Sequence, residues 1–312
     1  MQQLLEHDIV AIDVDYVRPG LATSHLIVAD GRAAYVDTGT THSVSRLLQA
    51  LDTFDLEPDA VDFVFLTHIH LDHAGGAGAL MRELPNARCV VHPRGTRHLA
   101  DPTKLIAGSI AVYGEKRFRA LYGDIDPIPS DRLISAEDGF RCSLASREFE
   151  FFHTEGHARH HHCIVDSASG GIFTGDSFGL SYRELDSPRG PFVFPTTTPV
   201  HFDPEAAHAS VDAIAAKSPT KLFLTHYSEI AFDPRFVADM HTALDAFVRL
   251  TETHAGDADT ETNLATALED YLLERLAEHG STLSVAEQRQ VVAMDCELNA
   301  QGLVHWWQRY RA

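Results

Sequence analysis

Three imidazoles and a carboxylate fall within six positions in the run Thr67-His68-Ile69-His70-Leu71-Asp72-His73-Ala74-Gly75-Gly76. Packing gives no reason for so many lone-pair donors in one place, whereas metal binding does. In an extended backbone, side chains two apart point the same way, so His68 and His70 can share one ion. Where the chain turns toward a helix, the adjacent Asp72 and His73 can aim at a second ion. Gly75 and Gly76 have no Cβ, which lets the backbone pass close to the cluster. The apolar run from Val61 to Leu66 reads as a buried strand delivering this turn, and Ala77 to Leu84 as the helix that leaves it.

His68-x-His70-x-Asp72-His73 resembles the signature of the metallo-β-lactamase superfamily, in its dinuclear glyoxalase II-like branch. Downstream, Thr154-Glu155-Gly156-His157 resembles the second motif, Phe173-Thr174-Gly175-Asp176 the third, and Leu224-Thr225-His226 the last. Val36-Asp37-Thr38-Gly39 is similar to the usual strand end before the first helix, so the likeness spans most of residues 8 to 228. It implies an α/β fold, an αββα four-layer sandwich over residues 1–231, with a C-terminal helical extension over 232–312. It implies one metal held by His68, His70 and His157, a second held by Asp72, His73 and His226, and Asp176 bridging the two. Two divalent ions are expected, zinc first, with iron or manganese as alternatives. Glu155 stands where the family often has proline, which alters a loop and not a ligand.

That ligand set implies hydrolysis. A divalent ion lowers the pKa of bound water from ~16 toward ~7. A hydroxide bridging two such ions would attack an ester, thioester or lactone carbonyl, with the metals stabilising the oxyanion. Asp72 would hold the nucleophile and shuttle its proton. The alternative is an iron-dependent persulfide dioxygenase of the same superfamily, with His68, His157 and Asp176 as a two-His-one-carboxylate triad. Such enzymes usually lack an extension like 232–312, which weighs toward the hydrolase. Diiron oxygen or nitric-oxide reductases usually carry Glu where His70 stands, and the complete ligand set speaks against a binding protein without turnover.

The elements that must position these groups can be read in order. Ile9 to Val14 and His25 to Val28 are strands, and Asp30-Gly31 turns the chain back into Ala33 to Val36. Asp37 ends that strand, either as the acceptor that orients a ligand imidazole or as a loop aspartate. Residues 42–53 show helical spacing, Arg88 to His92 is a short strand that Pro93 ends, and Pro93-Arg94-Gly95 is a turn signal. Lys104 to Tyr122 can form a helix. His92 and His98 read as structural or surface histidines. Arg147 to His153 alternates as a strand, and Ile164 to Phe173 forms a hairpin. Within Ala158-Arg159-His160-His161-His162, the family often has a second histidine at the place of His161, which receives a supporting role; His160 and His162 are structural. Phe178 to Pro204 reads as a packed loop on the substrate side, and Tyr182 as either an oxyanion donor or a buried loop tyrosine. Pro204 to Ala216 is a helix and Lys221 to Leu224 a strand. Helices follow over 236–250, over Leu264, Leu268, Leu272 and Leu276 up to Gly280, and from the capping box Ser284-Val285-Ala286-Glu287 to about Arg311. This extension either binds substrate or serves for packing and homodimerisation, and it shows no match to glyoxalase II glutathione-binding residues.

The whole composition narrows the partners. The 312 residues are 44% hydrophobic and 22% charged, an ordinary globular balance. A formal charge of −20 argues against nucleic acid, which needs basic patches, and leaves a small-molecule substrate. Cys89, Cys142, Cys163 and Cys296 are scattered without paired spacing, as expected of free thiols in the cytoplasm, with Cys163 in the core. No stretch is long enough to span a bilayer, so no membrane partner is expected.

Overall fold

A computed structural model describes residues 1–197 and 201–310. Its strands are β1 (Gln2–Leu4), β2 (Ile9–Asp13), β3 (Thr23–Ala29), β4 (Arg32–Val36), β5 (Val61–Phe65), β6 (Arg88–Val91), β7 (Leu133–Ser135), β8 (Arg141–Leu144), β9 (Arg147–His153), β10 (His162–Asp166), β11 (Gly171–Gly175), β12 (Lys221–Leu224) and β13 (Ser228–Ala231). Its helices are α1 (Val44–Ala50), α2 (Leu71–Ala74), α3 (Ala77–Glu83), α4 (Pro93–Ala100), α5 (Thr103–Tyr113), α6 (Glu115–Tyr122), α7 (Pro204–Ala216), α8 (Arg235–His254), α9 (Thr260–His279) and α10 (Val285–Tyr310).

The chain groups into two compact units. The first comprises Met1–His153, His160–Gly175 and Thr220–Glu229; the second comprises Thr154–Arg159, Asp176–Pro219 and Ile230–Ala312.

Two sheets build the first unit. One runs β1 to β7 in sequence order, and the other runs β13-β12-β11-β10-β9-β8. In the first sheet β1 to β4 are antiparallel and β4 to β7 parallel, so its parallel crossovers carry α1 to α6. Parallel neighbours cannot be joined by a tight turn, which is why the helices fall there. Between the sheets, Ile27, Val36 and Phe65 meet Phe149, Phe151, Phe173 and Phe223 in one core cluster. Phe65 packs at 5.1 Å from Phe149 and 5.2 Å from Phe151, centroid to centroid. The opposite face of the first sheet is covered by Leu47 and Ala50 of α1, Ala77, Leu80 and Met81 of α3, and Leu99 of α4.

Most elements fall where hydrophobic periodicity puts them, and the exceptions have local causes. Pro93 does not break the chain but opens α4 at its first position, where a missing N–H costs nothing, and His92 Nδ1 accepts from the Arg94 amide at 3.1 Å. Gly95 lets that helix sit on β6: a Cβ there would lie 2.7 Å from Ile69 and 2.8 Å from Val91. The single helix expected over 104–122 is two, because Gly114 takes φ +74° between α5 and α6. β7, β8 and β13 are only three or four residues long, too short for an alternating pattern to declare itself.

In the second unit, α9 packs on α10, and Leu264, Leu268, Leu272 and Leu276 are all buried. The Ser284–Glu287 capping box forms, with both the Ser284 amide and hydroxyl donating to the Glu287 carboxylate. Arg311, expected near the end of this helix, lies outside the described residues. The loop after Asp176 is tied to these helices: the Thr197 amide donates to Asn299 at 2.6 Å, and Ser187 to the His279 carbonyl at 2.8 Å. Residues 198–200 of the expected substrate-side loop also lie outside the described residues. No helix among the described residues is long and apolar enough to cross a membrane.

Candidate metal centre

Asp37 is the hub of the polar network in the first unit. It follows β4 with φ +57°, and its side chain is 1% exposed. Its carboxylate accepts from the Thr67 amide at 2.8 Å, the Thr67 hydroxyl at 2.9 Å, His73 Nδ1 at 2.9 Å and the Thr225 hydroxyl at 2.9 Å. A buried carboxylate needs such donors to offset its lost hydration.

These hydrogen bonds fix the histidine tautomers. A carboxylate or a backbone carbonyl can only accept, so the ring nitrogen facing it carries the proton. His73 therefore gives its Nδ1 proton to Asp37, and His226 gives its own to the Leu21 carbonyl at 2.8 Å. In its neutral form each ring then has a lone pair on Nε2. Both lone pairs face the same atom, Asp72 Oδ2, at 3.6 Å from His73 and 3.4 Å from His226. One ligand atom from each of Asp72, His73 and His226 lies within 4.8 Å of the others. Electron pairs that converge in this way suit a cation placed among them. Asp72, His73 and His226 could hold a divalent ion there, and the donor types suit one.

His68 is oriented by the same logic. Thr67 spends its hydroxyl proton on Asp37, so its oxygen accepts from His68 Nδ1 at 3.2 Å. His68 Nε2 then points at His70 Nδ1, 2.7 Å away. The two imidazoles of the extended segment do face one another. Gly75 and Gly76 have a different job from the one expected of them. A Cβ on Gly76 would meet the Thr40 carbonyl at 2.6 Å, and one on Gly75 the Leu71 carbonyl at 2.3 Å, so both glycines clear backbone rather than the cluster.

In the second unit the pattern recurs. His157 Nδ1 donates to the Thr196 carbonyl at 3.3 Å, and its Nε2 lies 3.2 Å from Asp176 Oδ2. Gly156 has φ +125°, and a Cβ there would meet the α7 backbone at Ala207 at 2.4 Å, so only glycine lets the loop before His157 lie against that helix.

The remaining candidates divide. His161 is fully buried, its ring 4.8 Å from that of His68. His160 is buried with its ring 5.2 Å from that of His70. His162 donates through Nε2 to the Leu66 carbonyl at 2.8 Å. Burial among His92 and other groups depresses its pKa to about 3. His92 caps α4, and its pKa falls to about 4 through desolvation and then the neighbouring His153. Tyr182 is 1% exposed and donates its hydroxyl to Asp295 at 3.1 Å. Cys163 is buried against the Thr174 carbonyl. Sequence reasoning gave no role to Thr67, Thr225, Thr196 or the Leu21 carbonyl. One signal was available: a threonine directly precedes both His68 and His226, and both those hydroxyls end on Asp37.

Comparison with known proteins defines the class. The family model of the metallo-β-lactamase superfamily matches residues 17–226, and the chain belongs to that superfamily. It is 27% identical over 199 residues to the metallo-β-lactamase fold-containing protein ST1585 of Sulfurisphaera tokodaii, covering 62% of this chain and 67% of that one. It is 30% identical over 171 residues to the hydroxyacylglutathione hydrolase of Xanthomonas euvesicatoria, spanning about half of each chain (54% and 51%). The solved structure of ST1585 superposes with a TM-score of 0.67 at 20% identity, over 95% of this chain and 98% of that one. The family protein TTHA1429 of Thermus thermophilus also gives 0.67, at 19% identity, over 98% and 95%. The fold is thus the αββα metallo-β-lactamase sandwich with C-terminal helices.

Proposed function

We propose that the chain is a dinuclear metal-dependent hydrolase of a small ester, thioester or lactone. His68, His70 and His157 would hold one ion, Asp72, His73 and His226 the other, and Asp176 would bridge them. The observation that carries the reading is the set Asp72, His73 and His226, in which the hydrogen bonds to Asp37 and Leu21 leave lone pairs aimed at one carboxylate oxygen. The His157–Asp176 pair, built on the same logic, supports it. So does the likeness to proteins named hydroxyacylglutathione hydrolase.

Two bound divalent ions supply Lewis acidity toward a carbonyl and make water a nucleophile at neutral pH. The nitrogen and carboxylate donors suit zinc first, and iron or manganese as well. The chain's own groups do the rest. Asp72 orients the attacking water and takes up its proton. Asp37, through Thr67, His73 and Thr225, holds the imidazoles in the tautomer that leaves Nε2 unprotonated. In the same reading residues 1–231 are the catalytic domain, and 232–312 an extension that shapes the substrate side or pairs two copies of the chain. The substrate is a small molecule, neither nucleic acid nor membrane, as the charge of −20 favours. The compartment is the cytoplasm, in keeping with free cysteines at 89, 142, 163 and 296.

The test compares turnover in air with turnover under strict anaerobiosis, on thioesters, esters and lactones and on glutathione persulfide. Oxygen-independent hydrolysis of an acyl compound is expected. Oxygen uptake stoichiometric with persulfide loss, with no acyl compound turned over, would move the protein to the dioxygenase class.

A further inference from the structure

A second histidine cluster lies in the α7–α8 pair and shares no residue with the centre described above. His208 and Asp212 stand four apart on α7, and His241 and Asp245 four apart on α8. Residues four apart share a helix face, so each helix presents one imidazole and one carboxylate together. The pairs then cross between the packed helices. His208 Nε2 lies 3.2 Å from Asp245 Oδ1, and His241 Nε2 lies 2.8 Å from Asp212 Oδ1. The two rings lie edge to edge in nearly one plane, with centroids 4.8 Å apart, 13° between their planes and their Nδ1 atoms 2.5 Å apart.

Asp212 can only accept, so the hydrogen bond it receives puts the His241 proton on Nε2 and leaves a lone pair on His241 Nδ1. That lone pair faces His208 Nδ1 head-on at 2.5 Å. A proton shared along this axis accounts for the separation, and a cation able to displace that proton finds both nitrogens already facing one another. Carboxylate-backed imidazoles converging on one point are also the usual outer support of metal-bound histidine.

We propose that His208 and His241 form a separate site for one late first-row divalent cation, zinc, copper or nickel, bound through the two Nδ1 atoms. Asp212 is a positioning residue that fixes the His241 tautomer, and Asp245 lies beside His208 Nε2. A tetrahedral ion at about 2.0–2.1 Å from each nitrogen needs the Nδ1 atoms about 3.3 Å apart and turned out of their head-on alignment, so both side chains rotate when it binds. His208 and His241 keep 29% and 28% of their side-chain surface exposed, so water can complete the shell. With two protein ligands the site binds more weakly than a centre with three or more, and an ion there staples α7 to α8.

The experiment is calorimetric titration of zinc sulfate into protein whose principal centre is already loaded and which has been desalted. One additional equivalent is expected, with a rise in melting temperature. His208→Gln and His241→Gln should each abolish that equivalent and the rise while keeping the previously bound metal. Asp212→Asn should keep the stoichiometry and weaken the affinity about 10–100-fold. Titration with cupric ion gives an independent readout, a paramagnetic spectrum split by two nitrogens in the parent and changed in either glutamine variant. If the parent takes up no additional ion, the pair holds a proton only and the proposal fails. It fails equally if both glutamine variants bind the additional ion as the parent does.

Discussion

Asp37 explains at the level of single residues why the imidazoles are usable as ligands. One buried carboxylate accepts from Thr67, His73 and Thr225, and so sets which nitrogen of His73, and indirectly of His68, keeps its lone pair. Asp37→Asn places an amide donor against groups that are all donors. We expect metal affinity to fall about 10–100-fold with the fold retained, read by competition against a chromophoric chelator. Asp72→Asn should keep both metal and fold better than any histidine variant, yet lower kcat by ~10²–10⁴-fold, because the proton acceptor is lost. Steady-state kinetics on the best acyl substrate reads this directly. The ligand candidates were legible in the sequence because histidines and an aspartate one and two residues apart rarely serve packing. The threonines were not, since a strand-end threonine is ordinary until one sees where its hydroxyl goes.

Glycine conformation limits what the elements can do around the site. β11 ends in Gly175 at φ +49°, where a Cβ would lie 2.5 Å from His161 Nε2 and 2.7 Å from Thr67 Oγ1. Gly175→Ala should therefore displace His161 and Thr67 together and add left-handed strain of about 1–2 kcal/mol. A drop of several degrees in melting temperature and a loss of metal affinity are expected, by calorimetry and chelator competition on the same sample. Retention of both would show that neither neighbour matters to the site. The strands that carry ligands were readable, because Val61–Phe65 and Arg147–His153 are strongly apolar or alternating. α4 was not, because Pro93 and Gly95 read as a turn when the helix they open cannot be seen. Gly114, the break between α5 and α6, sat inside a pattern that looked continuous.

At the scale of the whole molecule, acid stability should follow buried neutral histidines. His25 lies between the sheets with Phe173 and Phe223 edge-on at 5.2 and 5.6 Å, and desolvation lowers its pKa to about 3. His162 falls likewise to about 3 and His92 to about 4. In the unfolded chain each titrates near ~6.5. The unfolded state therefore binds more protons below that value, so stability is complete above about pH 6.5 and declines as pH falls toward about 4 and below. Metal-free protein melted across this range should show that decline, and His25→Leu should flatten it; an unchanged slope would remove His25 from the account. The superfamily and its layered fold were legible because the motifs recur in order along two thirds of the chain, whereas the contact grouping that joins residues 176–219 with the terminal helices depends on long-range packing that no local pattern carries. The central claim, a two-ion centre built from both halves of the motif set, is tested most directly by elemental analysis. The measurement uses protein carrying His208→Gln and His241→Gln, so that only the principal centre is counted. Two ions per chain are predicted, falling to one with loss of activity when His226→Ala is added. A stoichiometry fixed at one, with neither metal content nor activity changed by His226→Ala, would contradict it.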